Sequence, residues 1–195
     1  MPIELGGYAL TWYMQEICMH GLGAQTEYDQ LNAALNDDRT RQTRLVWFHL
    51  TSFLSHSAMI SKYLSPISNN EISVARKNAL RELLGVSSES EVLPRDTRDN
   101  VEHFDERIDN WVGSENQNLL EIVLPDRDGY DYMRVPEKRV RRVLILDELV
   151  FVSEKKDGSK FDLSLRPLHE EVQRIAAEAA KWITESSPYH FIYPR

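Results

Sequence analysis

RLVWFHLTSFLSHSAMISKYL, residues 44–64, is the stretch on which the fold class turns. At the helical period Val46, Leu50, Phe53, Leu54, Ser57, Ile60 and Leu64 share one face, and Trp47 and Phe48 widen it. A helix apolar over so much of its circumference needs neighbours on more than one side, which predicts the middle of a helical bundle. Pro66 ends it, since proline lacks the amide proton and disfavours helical backbone before it.

Working outward, the N-terminal spacing predicts one helix over about 5–20 that stops near Gly21 and Gly23. A second, polar helix is expected from Thr26, as its N-cap, through YDQLNAAL. Downstream, ISVARKNALRELLGV makes a shorter amphipathic helix that stops at Gly85. SSESEVLP then leads to Pro94, acceptable in a first helical turn, and to RDTRDNVEHFDERIDNW, residues 95–111.

After Gly113 the period changes. NLLEIVL, YDYMRV, VRRVLIL with LVFVSE, and KFDLSL read as short strands, with Lys-Asp-Gly-Ser at 156–159 a hairpin signal. RPLHEEVQRIAAEAAKWI returns to a helix begun by Pro167, its inner face Val172, Ile175, Ala176, Ala179 and Trp182. The expected fold is mainly α: an antiparallel helical bundle, one domain over 1–195, with a small antiparallel β insertion at about 118–165 before the C-terminal helix.

Composition narrows the function. Of 195 residues 42% are hydrophobic, with four Trp, eight Tyr and six Phe, enough for a core. A net charge of −8 argues against a general nucleic-acid coat but leaves room for a small basic site. The lone cysteine, Cys18, precludes an intrachain disulfide and sits among apolar residues as a buried structural thiol. No HExxH, phosphate-gripping Gly-rich loop or GxSxG elbow occurs, so neither metal nor cofactor is expected. MPIELGGYAL lacks a basic leader region and no eighteen apolar residues run together; the expectation is a soluble, cytoplasmic chain with no membrane partner.

The 95–111 segment carries nine charged side chains and a histidine. On a helix, Val101, Phe104, Ile108 and Trp111 fall within an arc of about 80°, the core face. His103 lies about 120° from the middle of that arc and Arg98 about 100° away on the other side. Arg98 with Glu102, Asp99 with His103, and His103 with Glu106 have ion-pair spacings, each worth a few tenths of a kcal/mol when exposed. On charge pairing alone this is a solvated helix face.

RDNVEH, an arginine followed by a polar residue, three more residues and then a histidine, together with the extension EHFDERID, resembles the RxxxxH motif of HEPN-domain proteins. The resemblance covers about 1–115 and 167–186; the β insertion lies outside it. It implies a compact helical bundle and a metal-independent ribonuclease of bacterial defence or toxin–antitoxin systems. Arg98, Asp99 and His103 would be the catalytic set, with RNA as substrate, a homodimer with a composite site, and an antitoxin protein as partner. Arg44 and His49 have the same spacing, but LVWF between them is apolar, so spacing alone is a weak signal.

RNA brings its own nucleophile, the 2′-hydroxyl. Cleavage then needs a base, an acid for the leaving 5′-oxygen, and positive charge on the phosphorane; the products implied are a 2′,3′-cyclic phosphate and a 5′-hydroxyl. His103 suits acid–base work near neutrality. Arg98 can grip a phosphate, and Asp99 can orient the imidazole. Five residues apart, Arg98 and His103 differ by about 140° and about 7.5 Å of rise, so one helix clamps a phosphate poorly and two copies across a two-fold axis do better.

Lys138, Arg139, Arg141 and Arg142 in EKRVRR either track RNA phosphates or form a charged edge strand. His49 and His56, at i,i+7, either face a groove or hydrogen-bond at the core edge. His169 with Glu170 and Glu171 reads as an acidic first turn. The alternative to the nuclease is a non-catalytic HEPN-like helical module that binds a partner protein or a nucleotide.

Overall fold

A computed structural model describes residues 4–94, 108–109, 112–113, 120–132, 140–155 and 159–189. Helix α1 spans Gly7–Asn36, α2 Arg44–Leu64 and α3 Glu71–Leu83; β1 (Leu120–Leu124), α4 (Arg127–Tyr132), β2 (Val140–Ile145), β3 (Val150–Glu154) and β4 (Lys160–Ser164) follow, and α5 (Leu165–Ser186) comes last. The chain is mainly helical with a small mixed sheet.

The N-terminal pair of helices expected from sequence is a single helix of 30 residues. Gly21 and Gly23 do not stop it; they let other elements come close. A Cβ at Gly21 would lie 2.3 Å from the Ala176 Cβ of α5, and one at Gly23 would lie 2.4 Å from Cε1 of His56 on α2. Thr26 does not cap a helix start either, because its hydroxyl donates back to the Leu22 carbonyl at 3.0 Å. The glycines sit where α1 is flanked on two sides, a tertiary demand that outweighs their cost of about 1 kcal/mol each in a helix interior.

Both neighbours of α1 run antiparallel to it. Against α2, Tyr63 meets Glu16, His56 meets His20, and His49 meets Glu27. Against α5, Ser187 meets Thr11, Ala176 meets Cys18, and His169 meets Gln25. Burial therefore follows two directions around α1, and Met14, Ile17, Ala24 and Leu31 are fully enclosed. From α2, Val46, Leu50, Phe53, Ile60 and Leu64 join this core; from α5, Leu165, Leu168, Val172, Ile175 and Ala179 do. On α5 the expected Ala176 and Trp182 are half-buried, and Leu168 and Ile183 complete its inner face. Enclosing a side chain such as Phe53 or Leu50 stabilises the fold by about 2 kcal/mol.

The ends of the helices are held by side chains. Thr43 caps α2 by accepting from the Leu45 amide, and Asn70 caps α3 by accepting from Ser73. Arg81 donates to the Leu64 carbonyl at 2.8 Å, and Arg76 to those of Tyr63 and Lys62, satisfying the C-terminal carbonyls of α2. Gly85, at φ +58°, takes the left-handed turn after α3.

The sheet has the order β1-β2-β3-β4. It is mixed, not antiparallel as expected: β1 pairs parallel with β2, while β2–β3 and β3–β4 are antiparallel. A parallel pair needs a crossover, and the link between β1 and β2 contains α4. The expected YDYMRV strand is thus replaced at Tyr130–Tyr132 by the end of that helix, and 133–135 lie outside the described residues. The hairpin reading stands in the antiparallel β3–β4 ladder, closed by Lys155 N–H to the Ser159 carbonyl at 2.8 Å.

Val123, Leu144, Phe151 and Leu163 form one row across all four strands and join the helical core. Leu124, Val143, Ile145, Val150 and Val152 line the opposite face, with Tyr130 of α4 packed on them. Burial on both faces explains why VLIL and LVFV read as unbroken apolar runs. Gln42, in the loop after α1, gives and takes a hydrogen bond with the Val123 backbone at 2.7 and 3.2 Å. Its amide acts as one further residue of ladder on the β1 edge and ties the sheet to the α1–α2 connection.

Gly21→Ala tests the close approach. The added methyl overlaps a methyl on a rigid facing helix, so unfolding free energy from urea denaturation should fall by about 1–3 kcal/mol despite alanine's higher helix propensity.

Candidate functional site

Two concavities among the described residues are considered first. The larger, about 860 Å³, lies between residues 4–10 and α3, and is lined by Glu4, Glu71 and Glu82 with no basic side chain among the described residues. Three carboxylates make it a poor place for a phosphate. The second, about 750 Å³, runs along the outer face of α2 beside the first two strands. Arg44, Trp47, Phe48, Thr51, Ser52, Ser55 and His56 line it from α2, Glu121 and Arg142 from the sheet, and Ile108 from the charged segment.

The groove follows from the way α2 is written. Its inner face is largely apolar, with Phe53 among the aliphatic side chains, whereas its outer face carries the exposed Phe48 ring, three hydroxyls and an imidazole. Phe48 is 61% exposed. Thr51 donates to the Trp47 carbonyl at 2.7 Å and Ser55 to Thr51 at 2.8 Å, which turns their oxygen lone pairs toward the groove as acceptors. Arg142 is committed to Glu121, its Nε donating at 2.9 Å, and lies 5.1 Å over the Trp47 ring. That ion pair and cation–π contact fasten β2 to α2. Among the described residues nothing bonds the Arg44 guanidinium at the groove's end.

Behind the groove, the seam between α1 and α2 holds a line of titratable groups. His49 Nδ1 meets Glu27 Oε2 at 2.8 Å. His56 Nδ1 lies 3.0 Å from His20 Nδ1, and His20 Nε2 lies 3.9 Å from Glu16 Oε2. Burial, then the neighbouring His56, holds the His20 imidazole below its ordinary pKa, with Glu16 opposing. On the other side of α1, His169 stacks on Tyr28 with centroids 3.9 Å apart and bonds Gln25 at 2.9 Å. Burial lowers its pKa too, against Asp29 and Glu170. The His169 ring is therefore packed against α1 rather than exposed in an acidic turn. Burial pushes the Cys18 thiol up to about 11, so it stays protonated and unreactive.

Arg98, Asp99 and His103 lie outside the described residues, as do Lys138 and Arg139. Ile108 and Asp109, five and six residues beyond His103, are helical, and Ile108 lines the groove. Arg141 belongs to β2, and Arg142 is the one member of the basic stretch whose side chain is described. His49 and His56 both hydrogen-bond at the core edge, and His56 also lines the groove. Sequence reading missed His20. The signal was its i,i+3 spacing to Gly23, which places an imidazole and a gap on the same side of α1. Among the described residues no three His, Cys, Asp or Glu side chains form a metal-ligand set, and no helix is long and apolar enough to cross a membrane.

Comparison with family models, curated proteins and solved structures returned no match to this chain.

The buried imidazoles set a pH dependence. His20 and His169 bind a proton less readily folded than unfolded, where the value is near 6.5. Stability is fully present above about pH 6.5 and is lost as pH falls from there through the lowered folded values, because the unfolded chain takes up protons first. The urea midpoint should drop between pH 7.5 and 5, and the His20→Gln/His169→Gln double variant should show a shallower drop over the same range.

Proposed function

We propose that the chain is a metal-independent endoribonuclease of HEPN type, working in stress or phage defence. Arg98, Asp99 and His103 would be its catalytic set. The observation that carries this reading is the RDNVEH–FDERID segment, whose Ile108 lines the mixed groove beside α2. The mainly helical architecture agrees with it.

In this reading RNA lies with an unpaired base against Phe48, whose exposed ring offers a stacking surface. The hydroxyls of Thr51 and Ser55 accept from base amino groups or the ribose 2′-hydroxyl. Arg44 and Arg98 provide positive charge for the phosphate. His103 transfers the proton, Asp99 orients it, and the 2′-oxygen displaces the 5′-oxygen to leave a 2′,3′-cyclic phosphate. A second copy of the chain supplies the facing Arg98 and His103, and an antitoxin protein holds the enzyme in check.

The second reading is a non-catalytic module that binds a partner protein or nucleotide. The Arg142–Glu121 pair favours it, because a carboxylate bound to that guanidinium offsets the charge it would offer an RNA backbone.

Purified protein incubated with mixed tRNA and mRNA in EDTA decides between them. The nuclease should cleave to cyclic-phosphate ends, with His103→Ala and Arg98→Ala each slowing cleavage by about 100-fold or more. Light scattering at micromolar concentration should show a dimer. Equal cleavage by wild type and both variants would remove the mechanism.

A further inference from the structure

We infer that the outward face of α1 is a docking surface for a second copy of this chain, the two α1 helices packing antiparallel about a two-fold axis near Gln15. This surface stands apart from the ribonuclease reading, since none of its residues belongs to the groove.

Three directions around α1 are taken within the chain. Glu16, His20 and Glu27 meet α2; Thr11, Cys18 and Gln25 meet α5; Met14, Ile17, Ala24 and Leu31 point into the core between them. At about 100° per residue, Tyr8, Trp12, Gln15, Met19 and Leu22 fall within an arc of about 80° on the side opposite the core. Tyr8 is 58% exposed, Trp12 49%, Met19 53% and Leu22 70%. From Gly7 to Tyr28 the exposed residues are these four and Thr26, and none is charged. The exposed side of α5 is the opposite, with Arg166, Glu170, Arg174, Lys181 and Glu185. A helix face meant for water carries charge as α5 does, whereas a contiguous exposed apolar face marks an interaction site.

The spacing shows what kind of partner fits. The five residues follow one another at intervals of four, three, four and three, the seam of a helix that packs lengthwise on another helix. The helices of comparable length among the described residues, α2 and α5, already lie on other sides of α1. Reversed about Gln15, the seam is its own complement. Tyr8 then meets the partner's Leu22, Trp12 meets the partner's Met19, and Gln15 meets the partner's Gln15. Each large ring receives a smaller, adaptable side chain, and sulfur against an aromatic ring is a favourable contact. Gln15 carries both donors and an acceptor, so two copies bond reciprocally, and one polar residue in such a seam fixes its register. Parallel copies would set both Trp12 rings at one level and both Leu22 side chains at another, a seam of uneven width.

Charge and area agree with this pairing. At a net charge of −8 per chain, two copies repel wherever their acidic surfaces meet, and the uncharged stripe avoids that cost. Glu16, beside the stripe, is turned toward α2, with its carboxylate 3.5 Å from the Tyr63 hydroxyl and 3.9 Å from His20 Nε2. From Tyr8 to Leu22 the stripe runs about 21 Å. The half-exposed Tyr189 ring, edge-on to Tyr8 at 5.4 Å, adds apolar surface at one end.

The test is light scattering on the full chain at micromolar concentration. Wild type should scatter as twice the 22.7 kDa of one chain. Met19→Glu/Leu22→Glu should raise the dimer dissociation constant by about 100-fold or more, because carboxylates from both copies would share one apolar seam. Its far-ultraviolet circular dichroism should match wild type, since both side chains are exposed in the single chain. Disulfide trapping reports direction. Gln15→Cys should cross-link to its own copy under mild oxidant, and Thr26→Cys should not, its two copies lying about 33 Å apart along antiparallel helices. Wild type gives the background from Cys18, a protonated thiol turned to the Ala176 carbonyl. Monomeric wild type, a double variant as dimeric as wild type, or cross-linking of Thr26→Cys would each overturn the inference. For a monomer, co-sedimentation with phosphatidylcholine vesicles would give the stripe to a lipid surface, and dimerisation only after removal of 190–195 would give it to the chain's own end. A dimer that survives the double variant would use another surface and leave the composite site of the ribonuclease reading untouched.

Discussion

The rest of the structure depends on how closely α1 approaches its two neighbours. Between Gly21 and Ala176 there is no room for a single extra methyl, and between Gly23 and His56 there is none either. These contacts fall two residues from one another on α1 and face different partners. They therefore fix the separation and the rotation of α2 and α5 about a common axis. Once those are set, Met14, Ile17, Ala24 and Leu31 have no solvent to face, and the aliphatic sides of α2 and α5 close over them. Close-packed interiors tolerate little change of volume, so small residues at a crossing are as decisive as large ones.

The sheet is a second layer laid against this three-helix core. It contributes one row, Val123–Leu144–Phe151–Leu163, and is fastened at its β1 edge by Gln42 and at Trp47 by Arg142. These fastenings also create the groove, because they hold the first two strands beside the outer face of α2. The side chains nearest the candidate chemistry are thus divided in their duties. Arg142 and Glu121 serve the junction, and Phe48, Thr51, Ser55 and His56 remain facing the opening.

Much of this was legible in the chain. The period-3.6 spacing of residues 44–64 and 71–83, Pro66 after the first of them, and Gly85 as the stop of the second all describe local events, and the elements stand where the spacing put them. The long helix at the N-terminus was not legible in the same way. Gly21, Gly23 and Thr26 carry the marks of a break, and only the presence of α5 and His56 across from the glycines gives them a different meaning. The strand directions were hidden too. VRRVLIL and NLLEIVL declare themselves as strands, but parallel or antiparallel pairing depends on whether the link between them crosses over, and α4 makes that link a crossover.

What the sequence by itself determined is the set of side chains available for chemistry and the helices that carry them, since periodicity, proline and composition act within a few residues of themselves. It also supplied the RDNVEH segment and its family resemblance. The tertiary structure alone decided that His20 and His56 touch, that a glycine between them makes space for the ring, and that a carboxylate stands behind the pair. Those facts join α1 residues to α2 residues some 36 positions apart. No local pattern encodes such a distance; it arises only when two helices pack, and it is set by the small residues that let them come close.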